Sequence, residues 1–424
     1  MTAGTPRVLI VAGEASGDLY GGLLMRAMSG AVPAKPAGGA SNGDRSPGGA
    51  GEPGAAGPRF VGVGGPAMRA AGLEPLGDAG AMGVTGFLEV LGSLRVIGRA
   101  YREACRVLDG MADRPDLAIL IDYPDFNLRL ARRARRAGVP VLYFVSPQVW
   151  AWRRGRVRQI ARRVDRMAVI LPFEEEIYRR ASVPVEFVGH PLLDLVRPER
   201  GRAQALAPLG LDPKRPTVAL LPGSRRNELR VLLPLMLEAA RLLGREFRDI
   251  QYVIPVAPTL APREVEAIVR AAEGARDSRS AGDASPRAVL VESGRYDALA
   301  AADAAVVASG TATLEAALLG VPMVIVYRMN GMTYLMARLV SDVRFIGMAN
   351  LIAGEKIVPE LVQGACRPER IAGELRRILT DQGAADAMRR GLAGVRARLG
   401  RPGAIERVAA TAWDMIGARR QRVA

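Results

Sequence analysis

Three short stretches carry side chains whose types and spacing could do chemistry. In "ILIDYPDFN" (119–127) an apolar run ends on Asp122, with Asp125 and Asn127 just beyond. A carboxylate at the end of a buried strand is placed to act as a general base. Asp125, directly after Pro124, reads equally well as an Asx turn. In "VALLPGSRRNEL" (218–229) Gly223 lets backbone approach a ligand, and Ser224 with the following helix start offers N–H donors to an anion. Arg225 can grip a phosphate with two parallel hydrogen bonds. Taken alone, this stretch is also an ordinary turn with a solvent-facing arginine.

The third stretch, "ASGTATLE" (308–315), shifts the balance. Ser309 or Thr311 could cap a helix, and Glu315 could match the helix dipole. A cap needs one hydroxyl, whereas Ser309, Thr311 and Thr313 supply three, beside Gly310. Glu315 lies one helical turn beyond Thr311. The spacing suits a diphosphate on the hydroxyls and N–H groups, and a ribose diol on the carboxylate. "VAGEASGDLYGG" lacks the G-x-G-x-x-G dinucleotide fingerprint but offers Glu14, Ser16 and Asp18 to sugar hydroxyls. His190, the lone histidine, follows a strand and precedes Pro191; it is either structural or touches a ligand. No D-x-D occurs, so no acidic metal clamp is expected, and no cofactor. Leaving-group charge then falls to Arg225 and helix ends.

These stretches need strands and helices to hold them. Val/Ile/Leu-rich runs ("RVLIVAG", "PRFVGVGG", "DLAILIDYP", "VPVLYFVSP", "RMAVILPF", "VEFVGH") alternate with helical segments, and the pattern restarts at "TVALLPGSR". Continuous apolar strands indicate parallel sheets covered on both faces. The fold class is therefore α/β, with two Rossmann-like domains at 7–188 and 189–399. Ligands in such sheets lie beyond the carboxyl ends of the strands, where the three stretches fall. Two facing domains would leave a central cleft between their loops. Residues 31–58 and 272–287 are Gly-, Ala-, Pro- and Ser-rich and read as insertions.

The chain has 424 residues, 49% hydrophobic and 5% aromatic, with net charge +16 carried almost wholly by arginine. Nucleic acid, an anionic membrane surface and a merely solvated surface all suit that charge. Aromatics are not interleaved with basic residues as in single-strand binders, which ranks nucleic acid last. Val84, Phe87, Leu88, Leu91, Leu94 and Ile97 fall near helical spacing, followed by Arg95, Arg99 and Arg102. That helix is either core or one that grips acyl chains at an interface. Trp150 and Trp152 beside an arginine series add to the interfacial reading. Apolar runs are too short for a membrane span. Cys105 and Cys366 follow no disulfide or metal spacing, consistent with a reduced compartment.

"VAGEASGD", "GVGGPAM", "MGVTGFLEVL", "IDYPDFN", "YFVSPQVWAWR", "LPFE", "FVGHPLLD", "LLPGSRRNE", "ASGTATLE" and "NLIAGEKIVPEL" run in order from residue 11 to about 361. Together they resemble the lipid-A-disaccharide synthase family, glycosyltransferases of the GT-B fold. "SPQVWAW" and "NLIAGE" are the most specific; "LPGSR" and "SGTATLE" are shared more loosely with other GT-B enzymes. The two insertions depart from the family pattern but leave the motifs intact. The resemblance implies an inverting transfer from UDP-2,3-diacylglucosamine to 2,3-diacylglucosamine 1-phosphate (lipid X), giving a β-1,6 disaccharide 1-phosphate and UDP. It implies Asp122 as base, Arg225 on the donor diphosphate, Ser309, Thr311, Thr313 and Glu315 around UDP, and Asn350 as a polar contact to UDP or the acceptor; Gly223, Ser224 and Gly310 are expected beside them on the donor side. Glu14, Ser16, Asp18, Asp125 and His190 are expected on the acceptor side. Residues 400–424 are expected to pack back on the first domain as a helix. Such an enzyme would work as a peripheral protein at the cytoplasmic face of the inner membrane; whether it forms a homo-oligomer is left open. The competing reading is another GT-B enzyme acting on UDP-N-acetylglucosamine, a peptidoglycan transferase or a 2-epimerase, which would not need the apolar helix at 83–98.

Overall fold

The computed structural model describes residues 5–30, 57–76, 90–111, 113–150, 155–274, 288–329 and 344–423. The chain divides into two compact units, residues 1–188 with 403–424, and residues 189–402.

In the first unit the chain runs β1 (Arg7–Ala12), α1 (Ala15–Met28), β2 (Arg59–Val63), α2 (Pro66–Ala70), β3 (Glu74–Pro75), α3 (Val90–Asp109), β4 (Leu117–Ile121), α4 (Pro124–Arg136), β5 (Val141–Phe144), α5 (Arg156–Ala161), β6 (Arg166–Val169), α6 (Pro172–Arg180) and β7 (Val185–Phe187). Its strands form one parallel sheet in the order β3-β2-β1-β4-β5-β6-β7. Strand order reverses between β1 and β4, the switch point at which such sheets bind ligands. Val8, Leu9, Ile10 and Val11 are all fully buried, because helices cover both faces of an unbroken apolar strand. Each such side chain contributes about 1.5–3 kcal/mol by leaving water.

The helix Ala404–Val423 belongs to this first unit. It lies along α1 and buries Ile405, Val408, Ala412 and Ile416. Arg407 donates to the Val188 carbonyl (2.9 Å), and Arg420 meets Asp116 (3.2 Å).

The second unit runs α7 (Leu192–Leu195), α8 (Arg202–Leu206), β8 (Thr217–Leu221), α9 (Arg226–Gly244), β9 (Gln251–Pro255), α10 (Pro262–Gly274), β10 (Ala288–Val291), α11 (Arg295–Ala300), β11 (Ala304–Ala308), α12 (Ala312–Leu318) and β12 (Met323–Tyr327). The helix Met348–Ala353, β13 (Glu360–Val362) and helices Pro368–Thr380 and Gln382–Arg398 complete it. This sheet, also parallel, has the order β10-β9-β8-β11-β12-β13, with its switch point between β8 and β11. Residues 272–274, expected to begin an insertion, are instead the last turn of α10. Among the described residues no helix is long and apolar enough to cross a membrane.

Candidate active site

In the first unit Ala12 pairs with Ile121 across the β1–β4 ladder, so Glu14 and Asp122 leave adjacent strand ends at the switch point. Asp122 and Tyr123 both have φ of 46°, the left-handed region that few residues with side chains adopt. Three bonds hold that turn. Asn127 Nδ2 donates to the carbonyls of Ile121 (3.1 Å) and Asp122 (2.8 Å), and the buried Tyr143 hydroxyl donates to the Asp122 carbonyl (2.6 Å). The Tyr123 ring fills the space beside Gly13, where a Cβ would lie 2.5 Å from the ring carbons.

The constraint leaves the Asp122 side chain largely removed from solvent. Burial, reinforced by the Glu14 carboxylate, pushes its carboxyl up to about 7; one hydrogen bond with the Tyr123 backbone pulls the other way. A base poised near neutral pH suits proton abstraction from an alcohol. Burial also holds the Tyr143 phenol far above its usual range, so it stays neutral and remains a donor. Asp125 is exposed in the first turn of α4 and pairs with Arg156 of α5.

In the second unit Val307 pairs with Leu221, which brings the β8–α9 and β11–α12 turns side by side at the other switch point. Gly223 has φ of +107°, and a Cβ there would collide with the Glu228 carboxylate. That carboxylate accepts from the Ser224 N–H (3.2 Å) and pairs with Arg225 (3.3 Å). An internal anion thus occupies the donors that the sequence offers to a phosphate. Thr259 Oγ1 donates to the Ser224 carbonyl at 2.6 Å and pins the turn. Arg225 itself is well exposed, with 70% of its side-chain surface accessible.

The three hydroxyls of the neighbouring turn are not equivalent. Ser309 Oγ donates to the Ile346 carbonyl (3.0 Å), and the fully buried Thr313 donates to the Gly310 carbonyl (2.7 Å). Both therefore serve the loop. Gly310 and Thr311 are exposed at the start of α12. Glu315 accepts from the Tyr296 hydroxyl (3.2 Å) and pairs with Arg295 (3.5 Å). A carboxylate has about four acceptor positions, so a diol can still be met there.

Several expectations need correction. Asp18 is not turned to a sugar: its oxygens accept from the N–H groups of Gly65 (2.7 Å), Ala67 (2.9 Å) and Met68 (3.1 Å), capping α2 from outside. Asn350 is fully buried and has all its amide positions filled by Ile357, Val358 and Glu360, leaving none for UDP or acceptor. His190 is buried; its Nδ1 accepts from the Leu192 N–H (3.1 Å), and burial lowers its pKa to about 3, so it is neutral. Trp150, half-buried, donates to Glu174 (3.3 Å) and stands edge-on to Phe173, so its indole N–H is engaged within the unit. Ser16 is exposed at the start of α1, close in sequence to Glu14. Val84, Phe87, Leu88 and Trp152 lie outside the described residues, as does the side chain of Leu91 in α3. The later part of that helix is core: Ala100, Ala104 and Leu108 are buried against the sheet.

Other residues near these sites escaped the sequence reading of roles: Asn127 and Tyr143, which fix the Asp122 turn, and Glu228, Arg295 and Tyr296 in the second unit. Glu174 is a further case. It is 2% exposed, and burial pushes its carboxyl up to about 8, against bonds from Leu171, Trp150 and Ser146. It ties the "SPQVW" segment, which follows β5, to the β6–α6 turn; β5 is the neighbour of β4, whose following turn carries Asp122.

The sequence matches the family model described as lipid-A-disaccharide synthetase over residues 8–394. It is 46% identical over 412 residues to the lipid-A-disaccharide synthase of Geobacter sulfurreducens, covering 97% of each chain. It is 43% identical over 417 residues to that of Myxococcus xanthus, covering 97% of this chain and 98% of the other. Among solved structures, UDP-GlcNAc 2-epimerase from Neisseria meningitidis bound to UDP-GlcNAc aligns with TM-score 0.58 at 11% identity, covering 96% of this chain and 99% of that one. The calicheamicin glycosyltransferase CalG4 aligns with TM-score 0.54 at 16% identity over the full length of both chains. At such identities the structural likeness is one of fold, GT-B.

Proposed function

The chain belongs to the lipid-A-disaccharide synthetase family, and on that premise we propose how its residues divide the reaction. It is a glycosyltransferase of lipid A disaccharide synthesis, taking a UDP-sugar donor and a lipid acceptor. The donor is UDP-2,3-diacylglucosamine and the acceptor 2,3-diacylglucosamine 1-phosphate. Asp122 takes the proton from the acceptor's 6-hydroxyl as that oxygen bonds to the donor's anomeric carbon from the face opposite UDP. The bond from that carbon to the diphosphate breaks, and UDP leaves with its electron pair. Arg225, the Ser224 N–H and the Gly310–Thr311 start of α12 meet the diphosphate charge, and Glu315 meets the ribose hydroxyls. Glu228 holds Arg225 and Ser224 in place until the diphosphate takes over those donors.

The observation that carries this assignment is the Asp122 turn. Two consecutive left-handed residues, three supporting hydrogen bonds and a carboxyl raised to about 7 all converge on one side chain at a switch point. Strain of that kind costs about 1–3 kcal/mol per residue, and a site that needs the carboxylate explains its presence. An anionic membrane surface as partner, at the cytoplasmic face of the inner membrane, is supported by the +16 net charge and by two acylated substrates. Purified protein given UDP-2,3-diacylglucosamine and lipid X should yield the disaccharide 1-phosphate by mass spectrometry. A parallel reaction with UDP-N-acetylglucosamine should yield neither transfer nor epimer; conversion there with none in the first would overturn the assignment.

A further inference from the structure

A groove of about 920 Å³ opens on the first unit between α3, α4 and α5. Six arginines line it: Arg129, Arg132, Arg133 and Arg136 on α4, Arg156 on α5, and Arg163 just after. The α4 set has the i, i+3, i+4, i+7 spacing that gathers side chains on one helix face. Among the described residues, two carboxylates offset this charge: Asp125 on Arg156, and Asp109 on Arg133. Six guanidiniums against two carboxylates is more positive charge than a solvated helix face needs. The floor is not polar throughout, since Leu128, Tyr101 and Cys105 contribute to it. Pro124 and Asp125, immediately after the Asp122 turn in the chain, also line it.

We propose that this groove seats the phosphate of the acceptor, a sugar 1-phosphate borne on a lipid, between Arg156 and Arg129. Arg132 and Arg163 stand behind with the field that holds a dianion. The inference rests on the assignment of Asp122 as base for a phosphorylated lipid acceptor. Arg129 lies four residues, about 6 Å along the helix axis, beyond Asp125. A phosphate held there leaves the rest of the acceptor sugar beside the Asp122 turn. Asp125 then acts as the stand-in anion: it holds Arg156, as Glu228 holds Arg225 in the second unit. The Arg163 pKa is lowered, chiefly by burial and secondarily by Arg132, and a bound dianion relieves the second cause.

The test compares two acceptors, 2,3-diacylglucosamine 1-phosphate and the same lipid without its phosphate, in mixed micelles with UDP-2,3-diacylglucosamine. The wild type should prefer the phosphorylated acceptor in kcat/KM by about a hundredfold or more, since each charge-assisted contact is worth about tenfold. In Arg129→Gln/Arg156→Gln that preference should fall to near unity through the acceptor's KM, with KM for the donor unchanged. Arg129→Gln alone, on an exposed position, reads the same effect at about tenfold should the double variant fold poorly. A preference retained in both variants overturns the proposal. So does a retained preference with lost binding to phosphatidylglycerol-containing vesicles, which would assign the groove to the membrane surface. Failure of the wild type to make disaccharide at all would instead sink the functional assignment, so the two failures are distinct.

Discussion

The charge state of Asp122 gives the sharpest prediction. Its carboxyl moves from 3.8 to about 7 on folding, chiefly through burial and secondarily through Glu14. At 1.36 kcal/mol per pH unit, ionising it in the folded protein costs about 4 kcal/mol more than in water. A base must be ionised to work, so kcat/KM for UDP release should rise tenfold per pH unit below a midpoint near 7, then level off. At pH 5, two units below that midpoint, the rate should be about a hundredfold down. Asp122→Asn should remove the limb and about 10²–10⁴ of the rate, the range for a positioned general base. Glu14→Gln removes the secondary cause. Glu14 is exposed, and a neighbouring charge in a water-like dielectric is worth about 1 kcal/mol. The midpoint should therefore move toward acid by no more than about 0.7 of a pH unit. Folding stability runs opposite to activity. A carboxyl raised on folding contributes stability that is complete below its unfolded value and is lost as pH rises through the folded one. The wild type should thus lose up to about 4 kcal/mol between pH 3.8 and about 7 that Asp122→Asn keeps, read as a widening gap in melting temperature. An acid limb that survives in Asp122→Asn, or that moves to alkaline pH in Glu14→Gln, refutes the reasoning.

Arg225→Ala should weaken donor binding and turnover together while leaving thermal stability within about 0.5 kcal/mol, since the side chain is exposed; isothermal titration with UDP and steady-state rates check this. Asn127→Ala removes both donations to the Asp122 turn and should lower kcat without a matching change in donor affinity. Asp18→Ala strips three backbone N–H groups of their acceptor and should cost about 1–3 kcal/mol in denaturant unfolding while sparing KM for both substrates. Glu174 is raised to about 8 by burial, so its stabilising share is complete below about 4.5 and lost as pH climbs through 8; Glu174→Gln should flatten that loss and alter Trp150 fluorescence, which an unburied Glu174 would not do.

What was legible in the sequence was position along the strand. Unbroken runs such as "DLAILID" announce a buried parallel strand, and the residue after the run must emerge where ligands bind. Asp122, Arg225 and the Ser309–Thr311 turn were found that way, and both pairs of turns do meet at switch points. Side-chain destination was not legible. Asp18 lies 47 to 50 residues from the amides that it caps, so no local pattern exposes the pairing. Asn127 reaches back across a left-handed turn, a backbone state that Tyr123 gives no hint of. Three hydroxyls in "SGTATLE" looked like surplus for a ligand, yet Ser309 and Thr313 are consumed by the loop itself. Trp150 beside arginines gives no hint of its acid partner, since Glu174 lies 24 residues downstream.

The helix Ala404–Val423 has a consequence for biosynthesis. It closes the α1 side of the first sheet, yet it is synthesised more than two hundred residues after β7, the last strand of that sheet. Residues 189–402 form an unbroken stretch and can fold as they emerge; the part of the first unit that precedes residue 189 must wait, with apolar surface bare, for a partner made more than two hundred residues later. Nascent chains arrested before residue 403 should therefore engage chaperones, and release should follow once that closing helix arrives.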